Sequence, residues 1–312
     1  MASKVRTRNV PTDKALYARV KAEARRKFRV YPCVPIDSLA ITRMGPASHE
    51  RIFPGDDILA YDTVSGGLVW SRVQEIHFHE NAPLLRLRKA TGFSLLCTPD
   101  HNWVAQSRSQ HGDQLSSRLV KTSELNKHQN IIWCGNPLEN SSSETTGYWT
   151  NNWSKKDEWI YRVLSMTVSE REVFLASAII YDGCEQGRSK IRENGMTFAF
   201  TQKNTNHYWA AVLAAFCNGY YVSMYKKTET IMGATIIRGK KTHSTQNLIK
   251  EDAGSAPVWC PSTEHGTWVM VQNGAICVTG NSAYANGWLV KEYKSRGGTY
   301  RTVKSNGRKK AA

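Results

Sequence analysis

The positive charge of this 312-residue chain is gathered in two short flanks. Residues 1–32 carry 10 Lys/Arg against 2 Asp/Glu, and residues 282–312 carry 8 against 1. The flanks therefore hold +8 and +7 of a formal net charge of +16, and residues 33–281 hold the remaining +1. The middle is long enough to bury a core of ordinary size, whereas each flank alone is too short to do so. A short basic protein interrupted by a near-neutral one is the organisation this charge pattern favours. No stretch reaches the roughly 18 consecutive apolar residues of a membrane-spanning helix. The start Met1-Ala2-Ser3-Lys4 lacks the apolar segment of a secretory signal. Seven cysteines, none in a Cys-x-x-Cys pair, fit isolated thiols in a reducing cytoplasm rather than a disulfide framework.

Hydrophobic periodicity divides the chain further. Residues 13–29 read as a basic amphipathic helix with Leu16, Val20 and Ala24 on one face. A second short helix is expected after Ser282, ending at Gly297-Gly298, with a disordered tail from Ser305. The segment 33–135 reads as β-rich, with turns at Pro54-Gly55-Asp56 and Ser65-Gly66-Gly67 and period-two alternation at Leu85-Arg86-Leu87-Arg88. Residues 135–155 are polar and unpatterned and read as a linker. From 156 to about 235 the pattern is helical with one strand, and 239–255 is polar again. Strand pattern returns near 257–260 and 267–271, and Asn273-Gly274 is a strong hairpin signal before Ala275 to Val278. Cys97 and Cys277 are expected in strand core. The β region is thus split by a helical module, inserted at a loop tip where insertion is tolerated.

Both seams of the charge pattern carry reactive side chains. Cys33 opens the middle segment, Asn281 closes it, and Ser282 stands just beyond. A thiol can attack the carbonyl before it, a hydroxyl can accept an acyl group, and an asparagine can cyclise and cut its own peptide bond. Between them lies Thr98-Pro99-Asp100-His101. These residues, in this order, resemble the inteins, self-splicing elements with the Hint fold. The resemblance covers residues 33–281. It implies an all-β splicing domain in two parts, 33–135 and 256–281, with exteins 1–32 and 282–312. It also implies roles. Cys33 would form a thioester with Pro32, Thr98 would hold the scissile amide, and His101 would protonate the leaving nitrogen. Ser282 would take the acyl group, and Asn281 would cyclise, ligating Pro32 to Ser282 with no cofactor.

Two departures bear on mechanism. Inteins commonly carry His before the terminal Asn, and here that residue is Gly280; His265 is either the substitute helper or an exposed hairpin histidine. Pro32 restricts the geometry at the upstream bond. In addition, Trp103, Cys260 and Thr279 match the marker residues of an intein class that uses an internal cysteine first. That class usually lacks a nucleophile at its first residue, so the opening attack falls to Cys33 or to Cys260. A fusion that no longer splices, or a Hint domain that only cleaves itself, are the competing readings. His77 and His79 share one face of an expected strand, but a metal site needs further ligands.

Within the insert, residues 136–255 with their linkers, Ser169-Glu170-Arg171-Glu172 reads as a capping box. The run Leu175 to Gly183 resembles the LAGLIDADG homing endonucleases, loosely but position by position. That resemblance implies an α/β DNA-binding fold, helix contact through Ala176, Ser177 and Ala178, and Asp182 as both catalytic and metal residue. The metal would be magnesium, activating water for phosphodiester hydrolysis. Lys190, Arg192 and Lys203 could meet phosphates. One motif per chain implies a homodimer or a decayed nuclease. The joined flanks form a basic protein of 63 residues that resembles small basic proteins of unknown role from phages and other large DNA viruses. Its charge favours nucleic acid as partner, in a host-cell cytoplasm. The expected whole is a mixed fold: a Hint domain split by an α/β insert and flanked by short basic helical segments.

Overall fold

Two long strands set the frame. Leu68–Arg88 runs antiparallel to Ile249–Thr263, from the Arg88–Ile249 pair to the Val73–Thr263 pair. Register shifts between Asp252 and Ser255, Ala256 and Val258, and Ser262 and Thr263 interrupt this ladder; each such bulge adds local twist. The computed structural model describes residues 7–28, 32–90, 92–107, 117–140, 159–185, 197–281 and 291–304. The chain is mostly β-sheet. The strand Leu68–Arg88 also pairs with Asp57–Tyr61, which leads through Leu39–Thr42 to Thr267–Gln272 and Ala275–Gly280. A second sheet orders Thr242–Ser244, Gln129–Ile132, Asn102–Ser107 and Arg118–Lys121. The hairpin at Asn273-Gly274 forms as expected, with φ of 46° and 76°, the left-handed pair that a two-residue type I′ turn demands. Cys97 and Cys277 are fully buried in strands.

The flanks fold together. Helix α1, Lys14–Phe28, is capped by Asp13, whose carboxylate accepts the Leu16 N–H at 2.8 Å. The strand Thr7–Pro11 pairs antiparallel with Tyr300–Lys304. This ribbon was not expected from helical patterning alone. Val20 and Tyr293 are fully buried against each other, with Leu16, Tyr17 and Tyr300 around them. Arg296 grips both carboxylate oxygens of Glu23 at 2.9 and 2.7 Å. Two segments too short to bury a core separately bury a small one jointly.

The insert contains α2 (Trp159–Ser165), α3 (Val168–Asp182) and α4 (Thr205–Cys217). Between residues 156 and 237 the described residues also hold four strands rather than the one expected: Gly183–Glu185, Thr197–Gln202, Tyr221–Lys226 and Met232–Ile237. They form an antiparallel sheet with the last two exchanged in order. Ser223 pairs with Ala275, and the Met224 N–H donates to the Gly274 carbonyl at 2.7 Å. A Cβ at position 274 would lie 2.3 Å from the Met224 carbonyl oxygen. The hairpin glycine is therefore also what admits the insert strand. Nearly every residue of α4 is buried, as expected of a helix that is apolar all round. Leu213 and Phe216 of α4 and Val163 of α2 share one core with Ile41, Leu59, Val104, Val269 and Val278 of the β fold. The module does not hang from a loop tip; it is fused into the core.

Two other expectations change. The cap of α3 is Thr167 with Glu170, which exchange hydrogen bonds at 2.8 and 3.3 Å. Glu172 instead accepts from Asn218 and joins Tyr220 and Arg238. The polar stretch 239–255 is not a linker belonging to the insert. It contains Thr242–Ser244 and half of Ile249–Thr263, both paired with the β fold. Ser282, Lys190, Arg192, residues 141–155 of the expected linker and the tail from Ser305 lie outside the described residues. No helix among the described residues is long and apolar enough to cross a membrane.

Candidate active site

The upstream junction sits against an edge. Val34–Pro35 pairs with Val258–Trp259, which brings Cys33 beside Cys260 in a buried cluster with Ala82, Leu84 and Val258. The neighbouring Cys260 thiol, and then burial, push the Cys33 thiol well above its ordinary range. Thr98 follows the strand Ser94–Cys97 and clamps the Cys33 peptide. Its hydroxyl oxygen accepts the Cys33 N–H at 3.0 Å. Its own N–H donates to the Cys33 carbonyl at 3.1 Å. The turn Thr98-Pro99-Asp100-His101 closes with the His101 N–H on the Thr98 carbonyl at 3.0 Å.

His101 lies at 0% exposure between the two ends of the segment. Its Nε2 is hydrogen-bonded to the Thr279 hydroxyl. Burial pushes its pKa down to about 4, opposed only by the backbone of Pro32. Proline has no N–H, so the opposing group is its carbonyl, which precedes Cys33; His101 Nδ1 is buried without a hydrogen bond to it. The ring is therefore neutral at pH 7 and must take a proton before it can give one. Trp103 packs edge-on against His101, with ring centroids 4.9 Å apart at 73°. The Trp103 Nε1–H donates to Thr122 Oγ1 at 2.9 Å, and that hydroxyl donates to the His101 carbonyl at 3.1 Å. Trp103 thus fixes His101 from the side and, through Thr122, from behind.

The downstream junction ends the strand Ala275–Gly280. Asn281 is 1% exposed. Its N–H donates to the Gly266 carbonyl at 3.0 Å, and its Nδ2 donates to Thr263 Oγ1 at 3.4 Å. Its own carbonyl accepts from Asn102 Nδ2 at 2.9 Å. The Thr263 hydroxyl is itself anchored on the Thr267 carbonyl at 2.7 Å. His265 is exposed, with Nδ1 at 2.8 Å from Ser71 Oγ. Among the described residues no hydrogen bond joins its ring to Asn281.

Of the residues singled out from sequence, Cys33, Cys260, Thr98, His101, Trp103, Thr279 and Asn281 come together in one buried site. Ser282 lies outside the described residues. Asp182 closes α3, far in the chain from this cluster, and its side chain is not among those described. Sequence reasoning missed Asn102, Thr122 and Thr263. Only Asn102 carried a signal, its place beside His101. The His77 ring bonds Ser262 at 2.9 Å. Among the described residues no group of three or more His, Cys, Asp or Glu could hold a metal ion.

No protein-family model matches the sequence, and no curated protein matches it. Among solved structures the chain is similar to a splice-inactive, GSH-linked variant of the AceL NrdHF class 3 split intein. Identity is 8% over 80% of this chain and 99% of that one, with a TM-score of 0.40. It is similar to a DnaB intein from Synechocystis sp. PCC 6803 at 10% identity, over 80% of this chain and 98% of that one, with a TM-score of 0.36. A bacterial intein-like domain from Clostridium thermocellum gives 10% identity, coverage of 80% and 98%, and a TM-score of 0.33.

Proposed function

We propose that residues 33–281 excise themselves and ligate Pro32 to Ser282. The observation that carries this reading is the meeting of both junctions on one histidine. His101 feels the Pro32 backbone, which raises its pKa against burial, although no hydrogen bond joins Nδ1 to it, and its Nε2 bonds Thr279, two residues before Asn281. Cys33 Sγ attacks the Pro32 carbonyl carbon, and the thiol proton passes to the neutral His101 ring. The Cys33 nitrogen, whose N–H Thr98 holds, leaves with that proton, and a thioester replaces the amide. The Ser282 hydroxyl then takes the acyl group, Asn281 cyclises, and the ester rearranges to an amide.

The adjacency of Cys33 and Cys260 favours one specific second route, in which Cys260 makes the first attack. Cys33→Ala and Cys260→Ala variants, followed by whole-protein mass with time, separate the routes. Loss of all upstream cleavage in Cys33→Ala names Cys33. Survival of cleavage there, with loss in Cys260→Ala, names Cys260. Retention of wild-type splicing in both variants contradicts either thiol as nucleophile.

The insert is proposed as a DNA-binding module of LAGLIDADG type. Support comes from its order after α2: helix, two strands, helix, two strands. Lys203 and Lys226 also line an open concave surface with Trp209 and Tyr225. Val173 and Ile180 on α3 are exposed, as a second copy would require. Magnesium is a proposal resting on Asp182 alone; no described cluster fits a metal, so no step is derived through one. The ligated 63-residue product is proposed to bind nucleic acid through its charge, and loss of binding to a short duplex at raised salt would check it.

A further inference from the structure

Release of the segment requires chemistry at the Asn281 carbonyl. Asn281 Nδ2 attacks its own carbonyl carbon, a new C–N bond forms, and the C–N bond to residue 282 breaks. The proton lost by Nδ2 ends on the departing amine. While the carbon is tetrahedral, its oxygen carries negative charge, and a fixed donor aimed at that oxygen lowers the barrier. One donor is already there: Asn102 Nδ2, 2.9 Å from the Asn281 carbonyl oxygen.

Asn102 is held where it stands. It begins the strand Asn102–Ser107, paired with Lys121, and its carbonyl accepts the Thr279 hydroxyl at 3.3 Å. Position 280 explains how it comes so close. A Cβ there would lie 2.9 Å from Asn102 Cβ, 3.0 Å from the Asn102 carbonyl oxygen and 2.7 Å from Leu119 Cδ2. The Leu119 methyl could swing away, but the two Asn102 atoms belong to or adjoin the backbone of a paired strand. Any side chain at 280 would push Asn102 off the carbonyl. The missing histidine and the approach of Asn102 are one structural fact.

We infer that Asn102 is a catalytic residue of the downstream step, donating to the Asn281 carbonyl as it becomes an oxyanion, and that Gly280 is the vacancy that lets it reach. The assignment rests on the splicing reading. It also leaves the His265 ring, bonded to Ser71, without a required part in that step.

The test uses the full chain with Asn102→Ala, Asn102→Asp and Gly280→His, followed by mass with time. Hydroxylamine, which cleaves thioesters, scores the upstream step separately and reports that the fold is intact. In Asn102→Ala and Asn102→Asp, release of the downstream flank falls roughly 100-fold, while hydroxylamine still frees residues 1–32 at the parent rate. Gly280→His slows downstream release instead of speeding it. Downstream release at the parent rate in Asn102→Ala overturns the assignment. Equal slowing of both junctions also overturns it, since that is the mark of a merely structural residue. If the parent chain reacts at neither junction, the splicing reading itself falls and takes this assignment with it.

Discussion

The residues around the two junctions and the residues of the insert are held by different forces. At the junctions, Thr98, His101, Thr122, Thr263 and Asn281 are buried polar groups fixed by side-chain hydrogen bonds. In the insert, α4 is fixed by apolar contact on nearly all sides, in a core it shares with the β fold. Hydrogen bonds inside a protein depend on the identity of each partner, because an orphaned buried group costs more than the bond contributed. Apolar cores depend on volume and tolerate swaps. Chemistry should therefore be fragile at the junctions, and folding should be sensitive to both regions.

The largest effect is at Asn281. Asn281→Ala has no side chain to cyclise, so ligated product disappears altogether while upstream thioester chemistry continues, as mass analysis would show. Next, Leu213→Ala in α4 should cost about 2–5 kcal/mol, read by urea unfolding. Because the core is shared, the single transition of the whole segment should shift. Unfolding of the insert alone, with the β fold unaffected, would break the comparison.

Acid gives an effect of similar size. His101 and His243 are both pushed from about 6.5 down to about 4 by burial. His243 is stacked on Phe93 at 4.5 Å and beside Trp133 at 5.0 Å. Between those values the unfolded chain holds the protons and the folded chain does not, so stability falls as pH drops from 6.5 towards 4. At His101 this amounts to ~3 kcal/mol, and His101→Gln should flatten that part of a stability-against-pH curve. A curve equally steep in the variant would contradict the burial of a neutral ring.

Smaller still, Thr122→Val strands the Trp103 N–H and should cost about 1–3 kcal/mol, with slower splicing in the fraction that remains folded. At the end of the scale, Arg88→Ala breaks the exposed ion pair with Glu251 and should leave both the unfolding midpoint and the splicing rate unchanged.

The same contrast governs what could be read from sequence. Cys33, Asn281 and Ser282 stand out because few residues could do the proposed chemistry and because the charge seams mark their places. Asn102, Thr122 and Thr263 are ordinary polar residues whose roles depend on which strand lies opposite. The first half of Ile249–Thr263 reads as linker because it has no fully buried face, so its side chains carry no apolar alternation. The cap of α3 fell two residues early because Thr167 and Ser169 both offer a hydroxyl three residues before a glutamate. Tertiary contact chose between them: Glu172 is drawn to Asn218, Tyr220 and Arg238, leaving Glu170 for the cap. The fusion of the insert into the core had no local signature at all.

The most direct test of the account is the mass of the intact chain followed with time after expression. Splicing predicts loss of the 312-residue precursor and the appearance of a 63-residue product carrying a Pro32–Ser282 bond, beside the excised segment 33–281. Persistence of the precursor alone, at several temperatures and under reducing conditions, would contradict it.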